Sequence, residues 1–265
     1  MNESTKTHIA LEVIDLSIGY HSNKETTVIA EGLDFQLQQG ELAAIVGVNG
    51  IGKSTLLRTL GNVQSKISGT IKLDGKALKK YSPIEMASTI SLVLTEPLAS
   101  KNLTVMELIA LGRQPYTNWI GSLSNKDKSK IQEAISMVGL QALKNKKCYE
   151  LSDGQLQRVM IARALSQDTS IILLDEPTSH LDLHHKVQLM QLLKQIAHET
   201  QKTILLTSHE IEMAIQLCDK ILIMNKESHD FGEPCELIQK QAFERIFPSD
   251  TVIFDAKTGS FKIKK

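Results

Sequence analysis

Short apolar runs and longer helical patterns alternate along most of the chain. Runs of this length, bounded by turns, predict strands that are buried in a parallel sheet. Between them, apolar residues recur at helical spacing, most clearly through Leu183, Val187, Met190, Leu193 and Ala197. The alternation predicts an α/β domain with helices on both faces of a sheet. The four clearest apolar runs are Leu42–Val46, Ile171–Leu174, Thr203–Thr207 and Lys220–Met224.

Two stretches of the chain depart from this alternation. Residues 11–37 alternate apolar and polar positions as antiparallel strands do. Residues 103–147 lack strand-like runs and carry helical patterns at 105–111 and 131–143. We therefore predict one domain over residues 1–265 that contains three parts. These are an α/β core with an N-terminal antiparallel β subdomain, over 1–95 and 151–265, and an inserted α-helical subdomain over 96–150.

A glycine-rich loop follows the first predicted parallel strand. Residues 47–55 read GVNGIGKST and match the phosphate-loop pattern G-x-x-x-x-G-K-[ST] between a strand and a helix. Glycines let successive backbone N–H groups point at phosphate oxygens, and the helix N-terminus adds its positive dipole end. Lys53 can reach the β- and γ-phosphates, and Ser54 offers a hydroxyl to Mg²⁺. We expect nucleotide contacts from Gly47, Asn49, Gly50, Gly52, Lys53, Ser54 and Thr55.

Two adjacent carboxylates follow the apolar run Ile171–Leu174. Ligands of open α/β sheets bind at the carboxyl ends of the strands, where Asp175 and Glu176 are expected to lie. Asp175 is suited to hold Mg²⁺, and Glu176 is suited to orient or deprotonate an attacking water. Alone, the pair is also compatible with an ordinary acidic turn before Pro177. Together with the glycine loop, it predicts a phosphate-loop NTPase.

A third motif makes the class more specific. The segment LSDGQ at residues 151–155 resembles the Leu-Ser-Gly-Gly-Gln signature of the ABC (ATP-binding cassette) ATPases. In that family two subunits close head to tail, so the resemblance implies that Ser152, Gly154 and Gln155 contact ATP held by a second copy. Ser152 is also expected to cap the following helix. Asp153 departs from the family pattern, because it replaces the first glycine and adds a negative charge near the triphosphate.

Other family elements follow in the expected order. The segment Ser-His-Leu-Asp ending at Asp182 resembles the D-loop, which lines the dimer interface in that family. His209 resembles the switch histidine that senses the γ-phosphate, and Tyr20 is placed like the aromatic residue that stacks on adenine. The resemblance therefore implies catalytic roles for Lys53, Glu176 and His209, with ATP and Mg²⁺ as cofactors.

The Q-loop is the largest departure from the family pattern. ABC ATPases place a glutamine at the start of the helical subdomain, where it contacts Mg²⁺ and the attacking water. The spacing back from Leu103 puts Thr95 at that position, with Glu96 beside it. We expect Thr95 or Glu96 to take this role through a water, with Thr95 as an additional group near the metal.

Several longer stretches are similar to the motors of importers for iron–siderophore complexes, haem and cobalamin. They are residues 103–115, 181–190 and 232–234. The resemblance covers nearly the whole chain and implies an ATPase subunit that powers such an importer. It further implies a homodimer that docks on polytopic membrane permease subunits, with a separate protein that binds the cargo.

Composition and charge limit which partners and which cellular location we expect for the protein. Lys and Arg number 30 and Asp and Glu number 30, so the chain lacks the basic excess of a general nucleic-acid binder. We find no secretory signal in residues 1–13 and no apolar run near the roughly 20 residues that span a bilayer. Three widely spaced cysteines indicate reduced thiols. We expect a peripheral subunit at the cytoplasmic face of the inner membrane. The alternative is a soluble ABC ATPase acting on DNA, ribosomes or Fe–S assembly, although the chain has no heptad-bearing insertion before the signature.

Overall fold

The computed structural model describes residues 8–21, 25–96, 100–247 and 250–264. Residues 97–99, near the predicted start of the helical subdomain, lie outside the described residues, as do residues 1–7 of the N-terminal segment. The α-helices are α1 (Lys53–Leu60), α2 (Pro83–Thr89), α3 (Val105–Ala110), α4 (Asn125–Met137), α5 (Asp153–Ser166), α6 (Leu183–Thr200), α7 (Ile211–Leu217) and α8 (Pro234–Gln239). The strands are β1 (Ile9–His21), β2 (Thr26–Gln38), β3 (Leu42–Val46), β4 (Ser68–Leu73), β5 (Lys76–Ala77), β6 (Ile90–Val93), β7 (Ile171–Leu174), β8 (Thr203–Thr207), β9 (Lys220–Met224), β10 (His229–Gly232), β11 (Val252–Asp255) and β12 (Ser260–Ile263).

The central sheet brings the predicted functional loops to one edge. Its strand order is β10-β9-β3-β8-β7-β6, and all neighbouring pairs are parallel except β10 with β9. Strands β3, β7 and β8 are buried along their whole length. Parallel strands share one carboxyl edge, so the loops after β3, β7 and β8 emerge side by side.

Alternate residues of the central strands face two different cores. Leu42, Ala44 and Val46 of β3 pack into a core formed with α3 to α7, whereas Ala43 and Ile45 pack into the other core with α1 and the N-terminal strands. Because both faces of the strand are buried, the sequence reads as a continuous apolar run. The prediction of a sheet covered on both faces is confirmed.

The N-terminal strands form a separate antiparallel sheet. Its order is β2-β1-β4-β5, and β1 pairs with both β2 and β4 in antiparallel register. Leu11, Val13 and Leu33 are among its buried residues, and they lie in the same core as α1. This sheet confirms the predicted antiparallel β part of the fold and forms one wall beside the phosphate loop.

The inserted stretch is helical, but its second helix is displaced from the prediction. The pattern at 131–143 predicted a helix there, whereas α4 spans Asn125–Met137. The helix begins earlier because Ser124 and Asp127 form a capping box. It ends before Gly139, which has a φ of 71° and turns the chain away from the helix axis.

The prediction of the apolar stripe of α6 is also partly wrong. Leu183 was predicted as its first buried position, yet its side chain is 72% exposed. Val187, one turn later, is only partly buried. The buried residues of α6 are Leu189, Met190, Leu193, Ile196 and Ala197. The first turn of α6 extends beyond the core because it follows directly from the loop at the sheet edge.

Candidate functional site

Glycines shape the loop between β3 and α1 for two separate reasons. Gly47 has a φ of 150° and Gly52 a φ of 108°, conformations that L side chains rarely adopt. A Cβ on Gly47 would lie 2.4 Å from the carbonyl oxygen of Met224, and one on Gly52 would lie 2.6 Å from Cγ2 of Ile29. Close packing and backbone conformation therefore both require glycine here.

Lys53 lies inside the loop at the first position of α1. Its Nζ donates hydrogen bonds to the carbonyl oxygens of Gly47 at 3.0 Å and Val48 at 3.1 Å. Burial lowers the pKa of the amino group, and the negative charges of Glu176 and Asp175 oppose that shift. The side chain is 5% exposed, so a buried cation stands beside two carboxylates at the sheet edge.

Asp175 connects three elements at the end of β7. The hydroxyl of Ser54, on α1, donates to its Oδ1 at 2.8 Å, and the hydroxyl of Thr207, on β8, donates to the same oxygen at 2.7 Å. Hydroxyl and carboxylate oxygens are the hard ligands that Mg²⁺ prefers. Ser54 and Asp175 therefore fit the predicted metal position in chemistry and in proximity.

Glu176 and His209 meet directly across the strand ends. His209 Nε2 lies 2.5 Å from Glu176 Oε1, and both side chains are partly exposed. Glu176 has a φ of 47°, and its N–H donates to the hydroxyl of Thr207 at 2.8 Å. The carboxylate is therefore held from two sides, through its own backbone and through the imidazole.

Most of the loop residues, together with Glu176 and His209, line one cavity of about 490 Å³. Tyr20 lies at its mouth, 53% exposed, with its hydroxyl 3.1 Å from the hydroxyl of Thr55. Ile29, which the sequence had not singled out, forms part of the wall beside Gly52. The lining residues are Tyr20, Ile29, Asn49, Gly50, Gly52, Lys53, Ser54, Thr55, Glu176 and His209. The cavity combines a phosphate-binding loop, a carboxylate and an aromatic side chain. This combination suits a nucleoside triphosphate.

The signature residues lie elsewhere. Among the described residues that line this cavity, Ser152, Gly154 and Gln155 are absent. Ser152 Oγ accepts from the N–H of Gln155 at 3.3 Å, and Gln155 Oε1 accepts from the N–H of Ser152 at 3.1 Å. This reciprocal pair confirms the predicted helix cap. The N-terminus of α5 is thereby capped, and Ser152 and Asp153 at its start are exposed.

Thr95 lies beside the acidic strand end, but its hydroxyl is engaged there. It donates to the backbone carbonyl of Asp175 at 3.2 Å. The neighbouring Glu96 forms an ion pair with Arg58 at 3.0 Å, which links it to α1. Both residues line a second cavity of about 400 Å³, together with Asp153 and Glu176.

Asp182 is the N-cap of α6. Its Oδ1 accepts from the N–H of His185 at 2.9 Å and contacts the His185 ring nitrogen at 2.8 Å. The bond from the His185 backbone is the main reason that the pKa of Asp182 is lowered.

Comparison with known proteins agrees with this geometry. The sequence pattern of the ABC transporter family matches residues 30–179. Petrobactin import ATP-binding protein FpuD of Bacillus anthracis is 34% identical, over 90% of this chain and 86% of its own length. Iron(3+)-hydroxamate import ATP-binding protein FhuC of Bacillus subtilis is 33% identical, over 94% of this chain and 92% of its own length. A dimeric ATP-binding cassette bound to ADP and Pi matches with a TM-score of 0.70 at 27% identity, over 83% of this chain and 97% of that one.

The chain therefore belongs to the ABC transporter family, as one of its ATP-binding subunits, and it is an ATPase. The predicted fold class, an ABC ATPase core with antiparallel β and helical parts, is confirmed. Within the part of the chain that the structure describes, no helix has the length and apolar character needed to cross a membrane.

Proposed function

We propose that this chain is the ATP-hydrolysing subunit of an importer for iron–siderophore complexes or for haem or cobalamin. The observation that carries the proposal is that Lys53, Glu176 and His209 line one cavity, with Asp175 hydrogen-bonded to Ser54 of the same cavity. The chain that holds them is similar to siderophore-import motors. FpuD and FhuC, which are named for petrobactin and iron(3+)-hydroxamate import, are similar to this chain over nearly its whole length. Their names favour an iron complex as the cargo class.

In this proposal the phosphate side of ATP lies against the glycine loop. Lys53 neutralises phosphate charge, and Ser54 and Asp175 hold Mg²⁺, whose chemistry is to neutralise charge that develops on the phosphate oxygens. Glu176 orients the attacking water and accepts its proton, while His209 fixes the Glu176 carboxylate. Thr95 contributes through its hydroxyl beside Asp175. Gly47, Asn49, Gly50, Gly52 and Thr55 contribute the rest of the loop contacts.

Two copies of the chain are proposed to close around ATP. Tyr20 stacks on the base at the cavity mouth, which is consistent with its exposed ring. The exposed N-terminus of α5 then presents Ser152, Gly154 and Gln155 to ATP in the second copy, and Asp182 lies at the interface. The dimeric cassette bound to ADP and Pi supports this arrangement by likeness.

The remaining partners follow from the proposed transport role. The motor docks on polytopic permease subunits at the cytoplasmic face of the inner membrane, and a separate protein binds the cargo. Nucleic acid is not an expected partner, because the chain carries no net charge by residue count.

Substitution of Glu176 tests the proposed chemistry. Glu176→Gln is expected to retain ATP binding, to accumulate as an ATP-bound dimer in gel filtration, and to lose about 10²–10⁴-fold in turnover, because the group that takes the water proton is gone. Lys53→Ala is the contrasting variant and is expected to lose nucleotide affinity instead. Normal turnover by Glu176→Gln would overturn the role of that carboxylate.

A pull-down tests the transport role separately. The tagged chain, extracted from its own membranes in mild detergent, is expected to retain a polytopic permease that mass spectrometry identifies. Recovery of soluble partners or nucleic acid in place of a permease would refute the proposed role in import. It would not affect the conclusion that the chain is an ATPase.

A further inference from the structure

Thr207 occupies a position between the two carboxylates that the motif analysis did not identify. It is the last residue of β8, the strand between β3 and β7, and its side chain is fully buried. Its hydroxyl donates to Asp175 Oδ1 at 2.7 Å and accepts from the backbone N–H of Glu176 at 2.8 Å. A hydroxyl has one proton to donate and lone pairs to accept, so both bonds form at once.

The bond to Glu176 acts on a residue in a rare conformation. Glu176 has a φ of 47°, in the left-handed region that residues other than glycine seldom adopt. Such a conformation persists where the surroundings fix the backbone. The Thr207 hydroxyl provides one of these fixed points, and the Glu176 side chain then reaches His209 on the loop that follows β8.

The bond to Asp175 matters for the metal side of the site. Oδ1 receives two hydroxyl donors, Ser54 and Thr207. The Ser54 hydroxyl can keep its proton on Asp175 or turn it elsewhere when its oxygen binds Mg²⁺, whereas the fully buried Thr207 hydroxyl does not depend on the metal. The Asp175 carboxylate then retains one anchor that sets its orientation.

We propose that Thr207 is a positioning residue for ATP hydrolysis, which orients the Asp175 carboxylate and the Glu176 backbone through a single hydroxyl. The inference rests on the proposed roles of Asp175 and Glu176. It makes β8 a structural link between the metal position, the water-activating carboxylate and the switch histidine two residues further on.

The test compares three variants in the full-length chain. Thr207→Val keeps the shape and removes the hydroxyl, and Thr207→Ser restores the hydroxyl. Thr203→Val is the matched control, because Thr203 begins the same strand, is equally buried, and its hydroxyl donates to the carbonyl oxygen of Gln38, distant from the site. The measurements are kcat and KM for ATP, the Mg²⁺ concentration for half-maximal activity, and binding of a fluorescent ATP analogue in EDTA.

Thr207→Val is expected to lower kcat about 10–100-fold and to raise the Mg²⁺ requirement, as loss of a supporting hydrogen bond does at metal sites. Analogue binding in EDTA is expected to stay near that of the unsubstituted chain. Thr207→Ser is expected to recover most activity, and Thr203→Val to leave the Mg²⁺ requirement unchanged.

Other results overturn the inference. Normal kcat and Mg²⁺ requirement in Thr207→Val would do so, as would equal impairment in Thr203→Val, which would indicate a general loss of strand stability. If Thr207→Val unfolds, Thr207→Ala takes its place, because it removes the same hydroxyl. A normal kcat and Mg²⁺ requirement in folded Thr207→Ala would then overturn the inference. An active Glu176→Gln variant would refute the proposed role of Glu176, on which this inference rests, whereas an active Thr207→Val beside an inactive Glu176→Gln would refute this inference alone.

Discussion

Gly47 illustrates how one residue can be constrained by both conformation and space. Its φ of 150° already disfavours a side chain, and the Met224 carbonyl oxygen lies 2.4 Å from where a Cβ would stand. Gly75, in the turn between β4 and β5, differs in one respect. It has a φ of 76°, but an added Cβ would meet no atom within 4 Å among the described residues. A comparison of the two positions therefore separates the cost of backbone strain from the cost of steric overlap.

Alanine at these two positions gives a residue-scale prediction. Gly75→Ala is expected to cost about 1–2 kcal/mol of unfolding free energy from the left-handed backbone alone. Gly47→Ala is expected to cost about 1–3 kcal/mol more, because the Met224 backbone cannot yield as a flexible side chain would. It should also weaken ATP binding, since the loop must shift. Urea unfolding and nucleotide titration measure both effects, and equal destabilisation by the two variants would contradict the steric argument.

At the scale of elements, the buried ion pair of Arg113 with Asp127 links the segments of the helical stretch to one another. Arg113 lies in the 3₁₀ segment after α3, its Nε donates to Asp127 Oδ1 of α4 at 2.9 Å, and its Nη1 donates to the Ser166 carbonyl oxygen of α5 at 2.8 Å. The Tyr116 ring stacks 3.9 Å from the guanidinium carbon. Both charged side chains are almost fully buried, so removal of one leaves the other without a counter-ion.

Asp127→Asn is therefore expected to destabilise the chain by about 3–5 kcal/mol, while the amide still accepts the capping bond from Ser124. Lys72→Met, which removes the partly exposed pair of Lys72 with Glu12, is the control and is expected to cost less than about 1 kcal/mol. Chemical denaturation of both variants gives the comparison. Similar losses would mean that the buried pair contributes no more than a surface one.

The ion pair of Arg113 with Asp127 also predicts that the stability of the chain depends on pH in the acidic range. The hydrogen bond from the Ser124 hydroxyl, more than any other contact, lowers the pKa of Asp127 below its ordinary value, and Arg113 adds to the shift. The contribution to stability is therefore complete above the unfolded-state pKa of about 3.9 and is lost as pH falls through the lower folded-state value. Thermal melts below pH 4 should decline more steeply for the unsubstituted chain than for Asp127→Asn. Parallel declines would contradict the assignment.

At the scale of the whole molecule, two adjacent apolar residues are exposed at the tip of the helical stretch. Trp119 is 95% exposed and the adjacent Ile120 is 68% exposed. The tip has a defined turn, because Asn118 Oδ1 accepts from the N–H groups of Ile120 at 3.2 Å and Ser122 at 3.0 Å. The turn holds the indole away from the body of the protein.

Since Trp119 is the only tryptophan, its fluorescence reports on this tip alone. The isolated chain is expected to emit close to the wavelength of free tryptophan in water and to be quenched by iodide nearly as strongly as the urea-unfolded chain. A blue-shifted emission that resists iodide in the isolated, monomeric chain would show that the tip is covered.

Several elements could be predicted from sequence because local patterns specify them. The phosphate loop, the strand before Asp175 and the cap at Ser152 each depend on residues that are close together in the chain. Strands β4 and β6 were not predicted, because their short runs carry no distinctive alternation. The exposed Leu183 was misplaced because helical spacing identifies an apolar face but not how far the core extends along it.

The sequence by itself determined the class of the protein, because phosphate binding and hydrolysis need particular residue types at fixed local spacing. The positions of Thr207 and Ile29 and the pairing of Glu176 with His209 were decided only by the tertiary structure. The strand order β3-β8-β7 brings residues from three distant parts of the chain to one edge. No local pattern encodes that order, since it results from how the two cores are packed against the faces of the sheet.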